Sequence, residues 1–273
     1  MAEAAAIALA CAIVLAPYSG AIEAADQGRQ PQAAAGAYTP ARTPDGQPDI
    51  QGVWNPVGTF YNIQDLEFQA VYQNFRPSDP ERRGKSLIVD PPDGRIPYQP
   101  WAADARKARM DENGKDDPSS HCLPRGVVKS HTTPLLRKIV QVPGLVVMLQ
   151  EANAAYRQIF TDGRALPTIE QPTFNGYSVG KWEGDTLVVQ TTGFKDGLWL
   201  DRSGSPMTDA AKMTERFRRV SYGKLEIDLT VDDPKAYTAP WTVTLRHFIM
   251  LDTELLDYIC LENEKSVSHM VGR

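Results

Sequence analysis

Hydrophobic and polar positions alternate along much of the second half of the chain, with the period of two that is typical of half-buried β-strands. Residues 224–231 show this most clearly, since every second side chain is Leu, Ile or Val and those between are Lys, Glu, Asp or Thr. Sequences that favour tight turns separate such runs, as at Pro143-Gly144 and Glu183-Gly184-Asp185. From Lys138 onward the pattern predicts about nine antiparallel strands with short connections and no intervening helix.

The last two predicted strands are Trp241–Met250 and Glu254–Leu261, which would pair across Asp252-Thr253. So many consecutive hairpins must close on themselves or stack as two sheets, because an open sheet leaves its edges exposed. We favour closure over a sandwich. The predicted fold is therefore mainly β, an antiparallel meander barrel of the lipocalin type over residues 137–273.

The first half of the chain follows a different pattern. Residues 4–16 are almost entirely apolar and are followed by small residues, which predicts a signal peptide over residues 1–25. No Lys or Arg precedes the apolar run, so an uncleaved anchoring helix is the alternative. Residues 26–37 predict a flexible linker. Residues 38–136 hold most of the 21 prolines, which predicts an extended arm that wraps around the barrel and carries one short helix, Trp101–Glu112.

Composition narrows the class of protein. A chain of 273 residues with 42% hydrophobic and 23% charged residues is neither wholly disordered nor a polytopic membrane protein. Its net charge of −5 argues against nucleic acid as the main partner. Export to the periplasm or the exterior would leave Cys122 and Cys260 in an oxidising compartment, where they either form a disulfide or remain two separate buried thiols. No stable membrane span is expected once the signal is removed.

Several segments resemble those of a family of secreted, mostly uncharacterised β-rich proteins of soil bacteria. These segments are ARTPDGQPDIQGVW, GLVVMLQEANAAYRQIFTDGR, GYSVGKWEGDTLVVQTTGF, TERFRR, DDPKAYTAPWTV and DTELLDYICLENE. The resemblance covers nearly all of the chain after the linker. It implies export and a β-rich fold, and it carries no established activity.

Polar and aromatic side chains cluster where the predicted strands end. A barrel of about eight strands holds one small ligand, and the inward-facing row of side chains supplies its contacts. In such a pocket Glu215 or Asp201 would be the general base. Arg157 or Arg216 would stabilise a developing anion, and Tyr258 or Tyr156 would donate a proton. Substrate contacts are expected from Tyr156, Trp199, Arg216, Glu262 and Asn263. The alternative for each charged residue is a cross-strand ion pair on the solvated face of the barrel.

These residues predict an exported barrel with a small-molecule pocket, acting as a lyase, hydratase or isomerase on a small organic or sugar-derived substrate. The expected chemistry needs one base and one electrophile, without a cofactor. No metal is expected, because His121-Cys122 has no second ligand pair. The alternative is a non-catalytic, lipocalin-like binding protein for a hydrophobic ligand. Convergence of three or more of Arg157, Asp201, Glu215, Tyr258 and Glu262 in one cavity would favour the enzyme.

Overall fold

The structure is a computed structural model that describes residues 38–56, 63, 86–260, 262, 265 and 269. The expected signal peptide and linker lie outside the described residues, and so does Asn263. No helix in the described part of the chain is both long and apolar enough to cross a membrane.

Strands dominate the described residues, which also form two α-helices and one short 3-10 helix (Pro118–His121). The helices are α1 (Pro100–Asp111) and α2 (Gly126–Thr132). The strands are β1 (Gly52–Pro56), β2 (Ile88–Asp90), β3 (Arg137–Val142), β4 (Leu145–Gln150), β5 (Tyr156–Phe160), β6 (Tyr177–Glu183), β7 (Thr186–Thr192), β8 (Leu198–Trp199), β9 (Pro206–Met207), β10 (Lys212–Ser221), β11 (Lys224–Asp232) and β12 (Trp241–Met250). The predicted class, mainly β, is confirmed.

Nine strands close into a barrel, in the order β1-β3-β4-β5-β6-β7-β10-β11-β12 and back to β1. β1 closes it by pairing antiparallel with both β3 and β12. This strand comes from the segment that the sequence assigns to the wrapping arm, and its buried residues are Val53, Trp54 and Pro56. β2 adds to β12 outside the closed ring, while β8 and β9 form a separate ribbon.

The hairpins of the barrel lie where the turn sequences predict them. β3 and β4 meet at Pro143-Gly144, and β6 and β7 meet at Gly184-Asp185. Gly144 has a φ of 77° and Gly184 has a φ of 60°. Residues other than glycine rarely adopt such positive φ values. α1 also begins and ends within one residue of the predicted helix.

The predicted strand at Glu254–Leu261 is wrong for the residues that the structure describes there. This segment forms one isolated bridge, between Ala152 and Tyr258. The reason is competition for an edge, because β12 already pairs with β11 on one side and with β1 and β2 on the other. A further strand at β12 would have no free backbone groups to pair with.

The strand order also departs from a simple meander at one point. β5 and β6 run parallel and pair at two positions, Ile159 with Ser178 and Phe160 with Val179. A lipocalin-like meander is therefore not confirmed. Parallel neighbours need a long crossing connection, and residues 161–176 supply it.

The interior of the barrel is filled by alternating side chains from its wall. On β10 and β11 every second residue is buried, and these buried positions include Phe217, Ile227 and Leu229. All seven residues of α2 are buried as well. His131 of α2 contacts side chains of β3, β10 and β12, so this helix packs into the barrel.

Candidate functional site

Five ionisable side chains meet inside the barrel, and we call them the interior cluster: His131, Arg137, Arg157, Glu215 and His247. They come from α2, β3, β5, β10 and β12. None of the five is more than 4% exposed. The strand period explains the placement, because Glu215 lies two residues from Met213 and Phe217 and shares their inward face.

Arg157 and Glu215 form the ion pair at the centre of the interior cluster. Nη1 of Arg157 donates to Oε1 of Glu215 at 2.9 Å, and Nη2 donates to Oε2. The same guanidinium donates from Nε to Oγ of Ser178 at 3.0 Å and from Nη2 to Oγ1 of Thr191 at 2.9 Å. Such two-pronged, fully hydrogen-bonded pairing makes a buried charge pair tolerable.

His131 links this ion pair to a second arginine, and its neighbours fix its tautomer. Nδ1 of His131 lies 2.8 Å from Nη1 of Arg137, and Nε2 lies 2.8 Å from Oε1 of Glu215. Because a guanidinium only donates, Nδ1 must accept, so Nε2 carries the hydrogen and donates to Glu215. The ring is therefore neutral, and burial lowers the pKa of His131 to about 4.

Glu215 is charged and fully engaged. Burial raises the pKa of its carboxyl, but the Arg157 guanidinium and the His131 N–H outweigh burial and bring that pKa to about 2. A carboxylate with such a low pKa is a weak base near neutral pH. Glu215 therefore holds Arg157 and His131 in place and is poorly suited to remove a proton from a substrate.

A cleft of about 570 Å³ opens in the barrel wall beside the interior cluster. β5 and β6 pair with each other at two positions, and on the N-terminal side of these positions a gap separates them. The cleft lies at this gap. We call it the seam cleft. Its lining includes Tyr156, Arg157, Gln158, Phe160, Phe174, Asn175, Tyr177 and Ser178. Arg157 therefore belongs both to the seam cleft and to the interior cluster.

Aromatic rings and cations stand together at the seam cleft. The rings of Phe160 and Tyr177 stack with centroids 5.3 Å apart. The guanidinium of Arg164 lies 3.9 Å from the centroid of Phe160 and donates to Oη of Tyr177 at 3.0 Å. On another ring of the lining, Nζ of Lys195 lies 4.7 Å from the centroid of Phe174. Such contacts hold the rings in place. The Arg164 guanidinium is also paired with the Asp162 carboxylate, at 2.6 Å from Nη2 to Oδ2.

The segment after β4 forms another part of the cleft lining, and a hydrogen bond to Cys260, which pairs with Cys122, holds it in place. Sγ of Cys122 and Sγ of Cys260 lie at disulfide distance, 2.14 Å, with their Cα atoms 5.4 Å apart. The backbone N–H of Cys260 donates to Oδ1 of Asn153, which lines the cleft, at 3.2 Å. Of the two states considered for the cysteines, the structure therefore has the paired one.

Two of the predicted catalytic residues meet, Arg157 and Glu215. Asp201 lies elsewhere, buried in the loop before β9, where its carboxylate accepts from the backbone N–H and from Oγ of Ser205 at 3.0 Å and 2.9 Å. Trp199 is buried beside Arg109, whose guanidinium lies 4.7 Å from its ring centroid. These two residues are not part of the seam cleft or of the interior cluster.

The other predicted site residues that the structure describes lie on the surface. Tyr156 lines the seam cleft, whereas Tyr258 is exposed outside its lining. Arg216 points outward and donates to Glu183 at 3.3 Å, as the alternative of a surface ion pair predicts. Glu262 is exposed. Of the five residues, Arg157 and Glu215 meet in the interior cluster, and Arg157 alone is among the described residues that line the seam cleft.

Sequence reasoning missed His131 and Arg137 and the rings of Phe160, Phe174 and Tyr177. His131 lies inside the barrel, while His121 is exposed and hydrogen-bonds the backbone carbonyl of Lys115. Among the described residues, no group of three or more His, Cys, Asp or Glu side chains is arranged to hold a metal ion. No signal in a single sequence shows that α2 packs into the barrel.

No model of a known protein family matches this chain, and no curated protein is significantly similar to it. The function must therefore be inferred from the geometry of the site.

Proposed function

We propose that this protein binds a small aromatic compound, neutral or anionic, in the seam cleft and does not transform it. The observation that carries the proposal is a cleft of about 570 Å³ with four aromatic residues in its lining: Tyr156, Phe160, Phe174 and Tyr177. Its volume lies in the ordinary range for small-ligand sites. Aromatic rings supply large apolar contact and prefer to pack against other rings.

The charges at the cleft support this class of ligand. Arg157 is the charged residue among the described lining residues, which include no Asp or Glu. Arg164 and Lys195 stand beside the rings of Phe160 and Phe174. Arg157 and Arg164 are paired with Glu215 and Asp162, which leaves Lys195 as the main attraction for a phenol or a carboxylate. A cationic ligand would find no carboxylate among the described lining residues. Gln158 and Asn175 add neutral donors and acceptors that can orient a polar substituent.

The expected lyase, hydratase or isomerase has less support. Its predicted base, Glu215, is held by Arg157 and His131 and is not among the residues that line the seam cleft. Its second predicted base, Asp201, lies outside that lining and is occupied by Ser205. General acid–base catalysis needs a group within reach of the substrate and with a pKa near the working pH. Binding without turnover needs neither.

We also propose that the protein works outside the cytoplasm, as its apolar N-terminal run predicts. The pairing of Cys122 with Cys260 supports this, because disulfides persist mainly in oxidising compartments. The proposal keeps the carrier role of a lipocalin-like barrel but moves the ligand from the interior to the wall. The interior position is occupied by the side chains of the interior cluster and its apolar neighbours.

Calorimetric titration with four probes tests the proposal: phenol, benzoate, benzylamine and cyclohexanecarboxylate. We expect phenol and benzoate to bind at least about tenfold more tightly than the other two probes. Benzylamine is cationic, and cyclohexanecarboxylate has a saturated ring without an aromatic face. Each probe is then recovered and its NMR spectrum recorded. A changed spectrum would support the enzyme instead.

Tyr156→Ala removes one aromatic wall and should weaken benzoate binding about tenfold. The matched control is Tyr222→Ala, because Tyr222 is 61% exposed and Tyr156 is 64% exposed, but Tyr222 lies outside the cleft lining. The control should bind benzoate as the unmodified protein does. Equal losses in both variants, or no saturable binding of any probe, would overturn the proposal.

A further inference from the structure

A second, much smaller cavity lies near the C-terminal end of α2, against the start of β3 and the end of β4. Its volume is about 10 Å³, which matches a single water molecule or a monoatomic ion. Polar residues of its lining are Arg125, Ser130, Thr133, Arg137 and Gln150. It shares no lining residue with the seam cleft.

Both arginines of this lining have an unpaired donor. Arg137 is buried, and its Nη1 and Nη2 bond His131 and the carbonyl of Ser130. Arg125 donates from Nη1 to Oγ1 of Thr133 at 3.2 Å. The Nε atoms of Arg125 and Arg137 are both buried and have no hydrogen-bond partner among the described residues. Two buried N–H groups without an acceptor are unfavourable unless something at the cavity accepts from them.

The charge around the cavity is not balanced by its neighbours. Glu215 is engaged by Arg157 and His131. Glu151, the nearest acid along the chain, accepts from two backbone N–H groups instead. The arginines at positions 125, 137 and 157 against the carboxylates at 151 and 215 leave one positive charge in excess. No carboxylate is among the described residues of the lining.

We propose that this cavity binds a single monoatomic anion, of the size of chloride, held by the guanidinium groups of Arg125 and Arg137. An anion would accept from both Nε–H groups and would also neutralise the excess charge. A water molecule could accept the same hydrogen bonds, but it would leave the charge in place. The volume excludes polyatomic anions such as sulfate and phosphate. The site would clamp the end of α2 to β3 and so stabilise the position of His131 in the barrel.

Thermal unfolding at constant ionic strength tests this site, with sodium isethionate replaced by sodium chloride, bromide or sulfate. At about ten times its Kd, chloride should raise Tm by about 3 °C, and bromide should act similarly. Sulfate should give no rise beyond isethionate. In Arg125→Gln the chloride effect should disappear, whereas Arg218→Gln, which alters an exposed arginine elsewhere on the barrel, should keep it.

Crystals grown in bromide give a second readout that does not depend on a variant folding. We expect an anomalous peak between the Nε atoms of Arg125 and Arg137. The proposal would be overturned if Tm were the same with every anion or if no anomalous peak appeared at this position, since the cavity would then hold water. It would also be overturned if sulfate raised Tm as much as chloride does, since the effect would then not come from this cavity.

Discussion

The interior cluster and the seam cleft lie side by side and share Arg157, yet they differ in burial and in hydrogen bonding. In the interior cluster the side chains are buried and bond one another, so that Arg157, Glu215 and His131 satisfy each other's charges and donors. In the seam cleft, Tyr156 is largely exposed, and β5 and β6 do not pair with each other beside it. The Arg157, Glu215 and His131 part of the first region is hydrogen-bonded without a ligand, whereas the second region leaves apolar surface that a ligand would cover.

This contrast shows why a concentration of charged residues is weak evidence for an active site. Ion pairs and perturbed pKa values also arise where a barrel encloses polar groups for structural reasons. What separates the two regions is access, since Tyr156 at the seam cleft is exposed whereas the side chains of the interior cluster are buried. By that criterion the site lies at the place where β5 and β6 part, and the interior cluster supports it through Arg157.

Replacing Glu215 tests the structural role of the interior cluster most strongly. Glu215→Gln removes the negative charge and leaves Arg157 as an uncompensated buried cation. We expect the free energy of unfolding to fall by about 3–5 kcal/mol, measured by urea denaturation. The affinity of the remaining folded protein for benzoate should change far less.

The matched control is Glu254→Gln, which alters an exposed carboxylate that pairs with Lys138. Its cost should be below about 0.5 kcal/mol. If Glu215→Gln were as mild as this control, the interior cluster would not be a structural element. A variant that stayed stable but lost an activity on a substrate would return Glu215 to a catalytic role.

Acid should weaken the interior cluster before it affects the seam cleft. Burial lowers the pKa of His131 from its ordinary value of 6.5 to about 4, and burial also lowers the pKa of His247. Between pH 6.5 and about pH 4, His131 is protonated in the unfolded chain but not in the folded protein. The stability that His131 contributes is therefore fully present above pH 6.5 and falls as the pH drops toward 4. His131 alone should cost about 2 kcal/mol between pH 7.5 and pH 5.

Urea denaturation across this range measures the slope, and His131→Gln should flatten it. His121→Gln, which alters an exposed histidine, should keep the slope of the unmodified protein. Phenol affinity should stay constant from pH 7.5 to pH 6, since the described lining of the seam cleft contains no His, Asp or Glu. A flat stability profile would show that the imidazole of His131 is not buried in its neutral form.

Much of the fold follows from local sequence patterns, because alternation and turn residues act within one hairpin. The strands β3 to β7 and β10 to β12 and their tight turns were predictable on this basis, whereas the short strands β8 and β9 were not predicted. The closure by β1 was not, since Gly52–Pro56 pairs with residues more than 80 positions away. The same long-range pairing occupies the edge of β12 that the predicted strand at Glu254–Leu261 would need.

The candidate site was predictable only in part, for a related reason. The strand period places Arg157 and Glu215 on inward faces, and both were predicted to share a pocket. The seam cleft depends on a parallel pairing between β5 and β6 that local pattern does not encode. The aromatic residues that line it, such as Phe174, lie in the connection between these strands, where no periodicity marks them.

Arg216 gives the smallest effect and the sharpest contrast, because it is the next residue after Glu215 and points to the opposite side of β10. Its guanidinium and the Glu183 carboxylate are each 48% exposed, and their separation is 3.3 Å. Water screens such a pair, so Arg216→Gln should lower the free energy of unfolding by less than about 0.5 kcal/mol and leave benzoate affinity unchanged. Arg157→Gln, the same exchange on the inward face, should cost several-fold more in urea denaturation. Equal costs would mean that burial does not separate the two arginines, and the contrast between the barrel interior and its outer face would fail.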